Sequence, residues 1–174
     1  MKWFTILVLV IAIALTTLAA LPFAPGHAED EASPIFGGKI PAGYRDWRLI
    51  SVAHEEGSVN DLRAILGNDV AIKAYREGKL PFPDGTIIAR LAWSYVPSEE
   101  NDKVFGHRQS FVAGPPKEGV QFMVKDSKKY ASTNGWGFAQ FNDDKPADEA
   151  ALKGCSSCHE PAKANDFVFT RYAP

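Results

Sequence analysis

Residues 86–96 read TIIARLAWSYV, eleven residues with no glycine or proline among them. Branched and aromatic side chains of this kind favour extended chain. Successive side chains on a strand point to opposite faces. Ile87, Ala89, Leu91, Trp93 and Tyr95 therefore share one face, and Thr86, Ile88, Arg90, Ala92, Ser94 and Val96 share the other. The strand reads as half-buried. Arg90 stands out on it, a guanidinium among small and apolar neighbours.

Working outward, Pro81, Pro83 and Asp84-Gly85 form a turn before this strand. Further upstream, Asn68 is placed to cap a helix over 69–77, with Val70, Ala71, Ala74 and Tyr75 on one face and Gly78 suited to the left-handed position after its end. Two shorter strands precede it, one from Trp47 to Val52 and one around Leu62–Leu66, separated by a polar turn at 54–58. Pro41 is placed to open a short helix through Tyr44, Arg45 and Asp46. Downstream, 97–119 reads as a long loop with a strand near 110–113. Strands follow at 120–125 and 136–141, flanking a short helix capped by Asp126 and a turn at Asn134-Gly135. A helix start at 146–153 runs on toward residue 155, and Asp166 to Tyr172 alternates Phe167 and Phe169 with Val168 and Thr170. The expected fold is α+β: a mainly antiparallel sheet of about five strands with short helices.

Near the end, residues 155–159 read CSSCH, and Cys155 and Cys158 are the only cysteines in 174 residues. CxxCH is the attachment signature of a c-type haem. Two thiols add across the vinyl groups, and the adjacent imidazole reaches the iron. Cys155 and Cys158 are thus the expected covalent attachment points of one haem c, and His159 the expected proximal iron ligand. The competing readings are a redox disulfide and half of a zinc site. A redox CxxC opens a helix in a βαβ unit, for which no chain remains. A structural zinc needs four ligands, and there is no second cysteine pair.

The N-terminus agrees with haem attachment outside the cytoplasm. Lys2 precedes residues 3–21, which carry no charge, and Gly26-His27-Ala28 is a small-residue cleavage site. Residues 1–28 are expected to be a cleaved signal peptide and 29–40 an arm, with the haem domain over 41–174. The expected location is the periplasm. The competing reading is an uncleaved membrane anchor, since the apolar run approaches bilayer thickness. The chain is slightly acidic, net −2, with no basic stripe, so nucleic acid is not an expected partner.

A sixth iron ligand would have to come from upstream, because residues 160–174 contain neither Met nor His. Beyond position 28 the only methionine is Met123, within VQFMV, where a packed residue is the commoner role. His54 and His107 sit in polar segments and read as surface histidines. The expectation is an iron with an open or water-filled sixth position, able to take NO, CO or hydroxylamine.

Several stretches carry a wider resemblance: PAGYRDWRLIS (41–51), REGKLPFPDGTII (76–88), VKDSKKYA (124–131), GWGFAQF (135–141), CSSCHEPA (155–162) and DFVFTRYAP (166–174). Together they resemble the cytochrome P-460 family, which includes the cytochromes c′-beta, over about residues 40–174. The resemblance implies a small, mainly antiparallel β protein, usually a homodimer, with Cys155 and Cys158 as thioether cysteines and His159 as proximal ligand. In the P-460 enzymes a lysine on the strand after the D-G-T turn is also cross-linked to the haem, and hydroxylamine is oxidised. In the c′-beta members that link is absent, and NO and CO bind a five-coordinate haem. By this resemblance Arg90 occupies the lysine position, and there is no lysine from 80 to 102. A guanidinium stays protonated and is a poor nucleophile. Lys79 and Lys103 flank the strand and read as surface residues.

The resulting expectation is an exported mono-haem protein that binds or handles small gaseous or nitrogenous ligands, with Arg90 facing either the ligand or a haem propionate. The alternatives are a hydroxylamine-oxidising enzyme with a haem–lysine link, and a periplasmic electron carrier using Met123 that meets other redox proteins.

Overall fold

The computed structural model describes residues 35–173. The expected signal peptide and the first part of the arm lie outside them. No helix among the described residues is long and apolar enough to cross a membrane.

Six strands form one antiparallel sheet in chain order: β1 Arg48–Glu55, β2 Asp61–Gly67, β3 Ile87–Pro97, β4 Phe111–Lys125, β5 Trp136–Asn142 and β6 Lys145–Pro146. The fold is α+β and mostly sheet, with one strand more than expected, the two-residue β6. Every strand pairs with its chain neighbour; the β1–β2 and β5–β6 connections are short, while those from β2 to β3 and from β3 to β4 carry helices.

The two faces of β3 become the two cores. On one face Ile88 meets Met123 of β4, which meets Phe138 of β5. Ile65, Trp136, Phe82 and Val168 join them. Helix α1 (Asp69–Glu77) adds buried Ala71, Ile72 and Ala74. On the opposite face Ala89, Leu91, Phe122, Ala139 and Phe141 are buried. Phe122 takes edge-on contacts from Phe36, Tyr44 and Trp47. Ile35, Phe36 and Ile40, from within or beside the expected arm, thus pack on this second core.

Helix α1 has the expected ends. Asn68 Oδ1 accepts from Ala71 N and also from Ile87 N, so one side chain caps the helix and fixes the start of β3. Gly78, at φ 61, ends it, and Lys79 N donates to Ala74 O.

The structure corrects the sequence expectation elsewhere. The expected loop 97–119 holds helix α2 (Glu99–Phe105) and the first half of the 15-residue β4. The helix is acidic and lacks an apolar stripe, so no period marks it. β4 hides behind Gly114, Pro115, Pro116 and Gly119. Register shifts opposite Trp93 accommodate the prolines. Gly119 sits at φ 62, and a Cβ there would lie 2.0 Å from Phe141 O. Gly119→Ala should therefore lower stability by more than the roughly 1–2 kcal/mol of the left-handed backbone alone, read as a lower denaturation midpoint. Asp126 caps a turn, not a helix, accepting from Lys128 N and Lys129 N. The expected helix at 146–153 shrinks to α3, Glu149–Leu152, because Lys145 and Pro146 pair with β5 instead.

Residues 166–172 do not form a strand. They cross the first face as an irregular segment pinned by Tyr75 Oη to Thr170 O and by Ala173 N to Ile50 O. Burial raises the Tyr75 hydroxyl above its usual range.

Candidate functional site

Helix α4, Cys155–His159, and the segment after it lie over the first face of the sheet. Between them is a cavity of about 420 Å³, well within the range of small-molecule sites. Cys155, Cys158 and His159 line it together, as the spacing predicted. One helical turn brings the two thiols and the imidazole to the same side. Burial, and then the neighbouring Cys158, push the Cys155 thiol up.

His159 is held on two sides. Its ring packs between Phe138 and Phe169, each with its ring centroid 5.2 Å away. Nδ1 lies 2.7 Å from Phe167 O, a carbonyl that can only accept. Nδ1 therefore carries the proton, and Nε2 keeps a lone pair for a ligand bond.

The floor is apolar: Ile65, Ile88, Met123 and Phe138. One edge is polar, and it follows from the register. Ile65, Arg90, Gln121 and Gln140 are cross-strand neighbours on β2 to β5. Arg90 Nη1 donates to Gln121 Oε1 at 2.9 Å, and Gln121 Nε2 donates to Gln140 Oε1 at 3.1 Å. Arg90 Nη2 donates to Asp61 Oδ2 at 2.6 Å. Arg63, two residues along β2, holds the same carboxylate with Nε and Nη2. Asp61 is wholly buried, while the Arg63 and Arg90 side chains keep 19% and 17% exposure and line the cavity. Two cations thus share one buried anion. Glu118, at 3.4 Å from Arg90, is half-exposed and more strongly screened.

Asp61, Arg63, Gln121 and Gln140 were not found by sequence reasoning. The signal was the alternation Asp61, Arg63, Ile65, legible once the strand is begun at Asp61 instead of Leu62. Arg90 lies where the half-buried strand implied. His54 stacks on Tyr95 and His107 contacts Gln109; both are exposed and away from the cavity. Met123 does line it, 9% exposed. Lys79 and Lys103 do not, and among the described residues no lysine does.

The pattern of the Cytochrome P460 family matches residues 41–170. The chain belongs to the cytochrome P460 family. Membership implies haem binding. No curated protein matches the chain. The site of this P460 chain fits a haem on its own features: paired thiols, an imidazole with a free Nε2, an apolar floor, and Phe169, which lines the cavity while 58% exposed. A flat apolar macrocycle would cover that ring. Among the described residues no group of three or more His, Cys, Asp or Glu side chains is placed to hold a bare metal ion.

Proposed function

We propose that this chain is an exported haem c protein with one haem joined to Cys155 and Cys158, His159 on the iron, and an open position for NO or a similar small ligand. The observation that carries this reading is the convergence of both thiols and the oriented imidazole on one cavity that no lysine lines among the described residues. Bound there, the haem supplies an iron at which small nitrogen oxides coordinate. The protein's own residues do the rest. His159 offers Nε2 while Phe167 O holds its Nδ1 proton. Ile65, Ile88 and Phe138 exclude water. Arg63 and Arg90, held on the buried Asp61 carboxylate with half-exposed Glu55 and Glu118 beside them, put guanidinium N–H donors at the polar edge, suited to a haem propionate or to a polar ligand.

Export rests on the N-terminal leader, and the periplasm is where its small ligands and redox partners would be met. Homodimer formation rests on the family resemblance.

That no lysine among the described residues lines the cavity argues against the cross-linked oxidase. The expected result is tight NO binding by the ferrous protein and no hydroxylamine turnover with an artificial electron acceptor. Sustained turnover would overturn the ligand-binding reading in favour of the enzyme.

Met123 favours a second reading, because it is the one thioether in the cavity. Its neighbours across the sheet are Ile88 and Phe138, an ordinary core setting. Met123→Leu conserves volume and should leave the spin state unchanged. A low-spin to high-spin change in this variant would make the protein a His/Met electron carrier.

A further inference from the structure

Two consecutive residues, Asp166 and Phe167, sit in the left-handed region at φ 49 and φ 64. Phenylalanine rarely adopts it, so surrounding contacts must hold it there. The backbone closes the turn from Asp166 N to Lys163 O and from Phe167 N to Ala162 O, and the long-range contacts beside it converge on Asp166. Lys125 Nζ, at the end of β4, reaches Oδ1 at 2.8 Å and Oδ2 at 2.9 Å. Phe82 N donates to Oδ2, and Trp136 Nε1 donates to the Asp166 carbonyl, both at 2.8 Å. Lys125 is 5% exposed, with Nζ 4.9 Å from the Trp136 ring centroid. The next carbonyl in the chain, that of Phe167, meets His159 Nδ1.

We infer that the buried Lys125–Asp166 pair is a positioning device for His159: it clamps the left-handed turn whose Phe167 carbonyl holds the imidazole. This rests on the haem reading above. A carbonyl fixed on Nδ1–H sets the ring's orientation and raises the basicity of Nε2. Fastening the C-terminal segment does not by itself require the pair, because Tyr75 and Ile50 already pin that segment at Thr170 and Ala173. Nor would fastening explain a left-handed Phe167.

The test uses the haem-loaded protein and three variants. Asp166→Asn keeps an oxygen for Phe82 N and tolerates the left-handed backbone, but removes the ion pair. Trp136→Phe removes the donor to the Asp166 carbonyl. Tyr172→Phe cuts a contact of the same segment with Arg76, away from the turn. The readouts are the ferrous iron–histidine stretching frequency and the midpoint potential. Asp166→Asn and Trp136→Phe should lower the frequency and raise the potential, because a weaker Nδ1 bond makes Nε2 a poorer donor. Tyr172→Phe should leave both unchanged. Loaded turn variants with both readouts unshifted would overturn the inference, as would equal shifts in all three. Loss of haem from both turn variants, with Tyr172→Phe loaded, would also overturn it by assigning the pair to folding. A wild-type protein without haem c would fail the underlying reading itself, which is distinguishable from these outcomes.

Discussion

A Cys155→Ala, Cys158→Ala double variant should carry no haem under denaturing conditions, where the wild-type chain should retain one. The expected change is all-or-none because these are the only two thiols in the chain. Each single variant should keep one thioether and retain haem more weakly. Denaturing gels stained for haem, or acid–organic extraction, read the result directly. Sheet and core should persist in the double variant, since neither cysteine is buried in either core cluster. Unfolding midpoints of the haem-free variant and haem-free wild type should therefore agree. Haem still fixed to the double variant would require another anchor, and a lysine would be the first suspect.

Asp61→Ala should be the most damaging polar substitution. Asp61 has no solvent exposure and accepts three bonds from two guanidinium groups. Its removal leaves two half-buried cations facing each other with only half-exposed glutamates nearby. Breaking a buried ion pair from one side typically costs about 3–5 kcal/mol. For a chain of this size that corresponds to a melting temperature lower by on the order of 10 °C. Asp61→Asn, which keeps the shape and an accepting oxygen, should lose less. Haem should still attach in both, because the thiols lie on α4 and not on β2. Its ligand affinity should change with Asp61→Ala, since Arg90 would lose its 2.6 Å partner and swing. Calorimetry and NO titration separate the two effects. An Asp61→Ala protein as stable as wild type would contradict a structural role for this carboxylate between Arg63 and Arg90.

Legibility from sequence followed the physics of each segment. The period-2 pattern of 86–96 placed β3 to within a residue at each end, and Asn68 with Gly78 bounded α1, because those signals are local. Cys155, Cys158 and His159 were readable because CxxCH brings its chemistry in one helical turn. What stayed hidden was non-local. β4 hid its first half in glycines and prolines, whose positions make sense only beside the irregular register with β3. Asp61 gained meaning only when β2 and β3 paired and brought Arg90 to it. The stretch 166–172 alternates like a strand, yet two left-handed residues turn it aside to meet His159. Lys125 and Asp166 lie 41 positions apart, so nothing in either neighbourhood announces the pair.

The optical spectrum of the reduced protein, taken with and without NO, tests the central claim most directly. An iron held by His159 with an open opposite side predicts a high-spin ferrous haem c whose spectrum converts on adding NO. A low-spin spectrum with split visible bands, unchanged by NO, would contradict it.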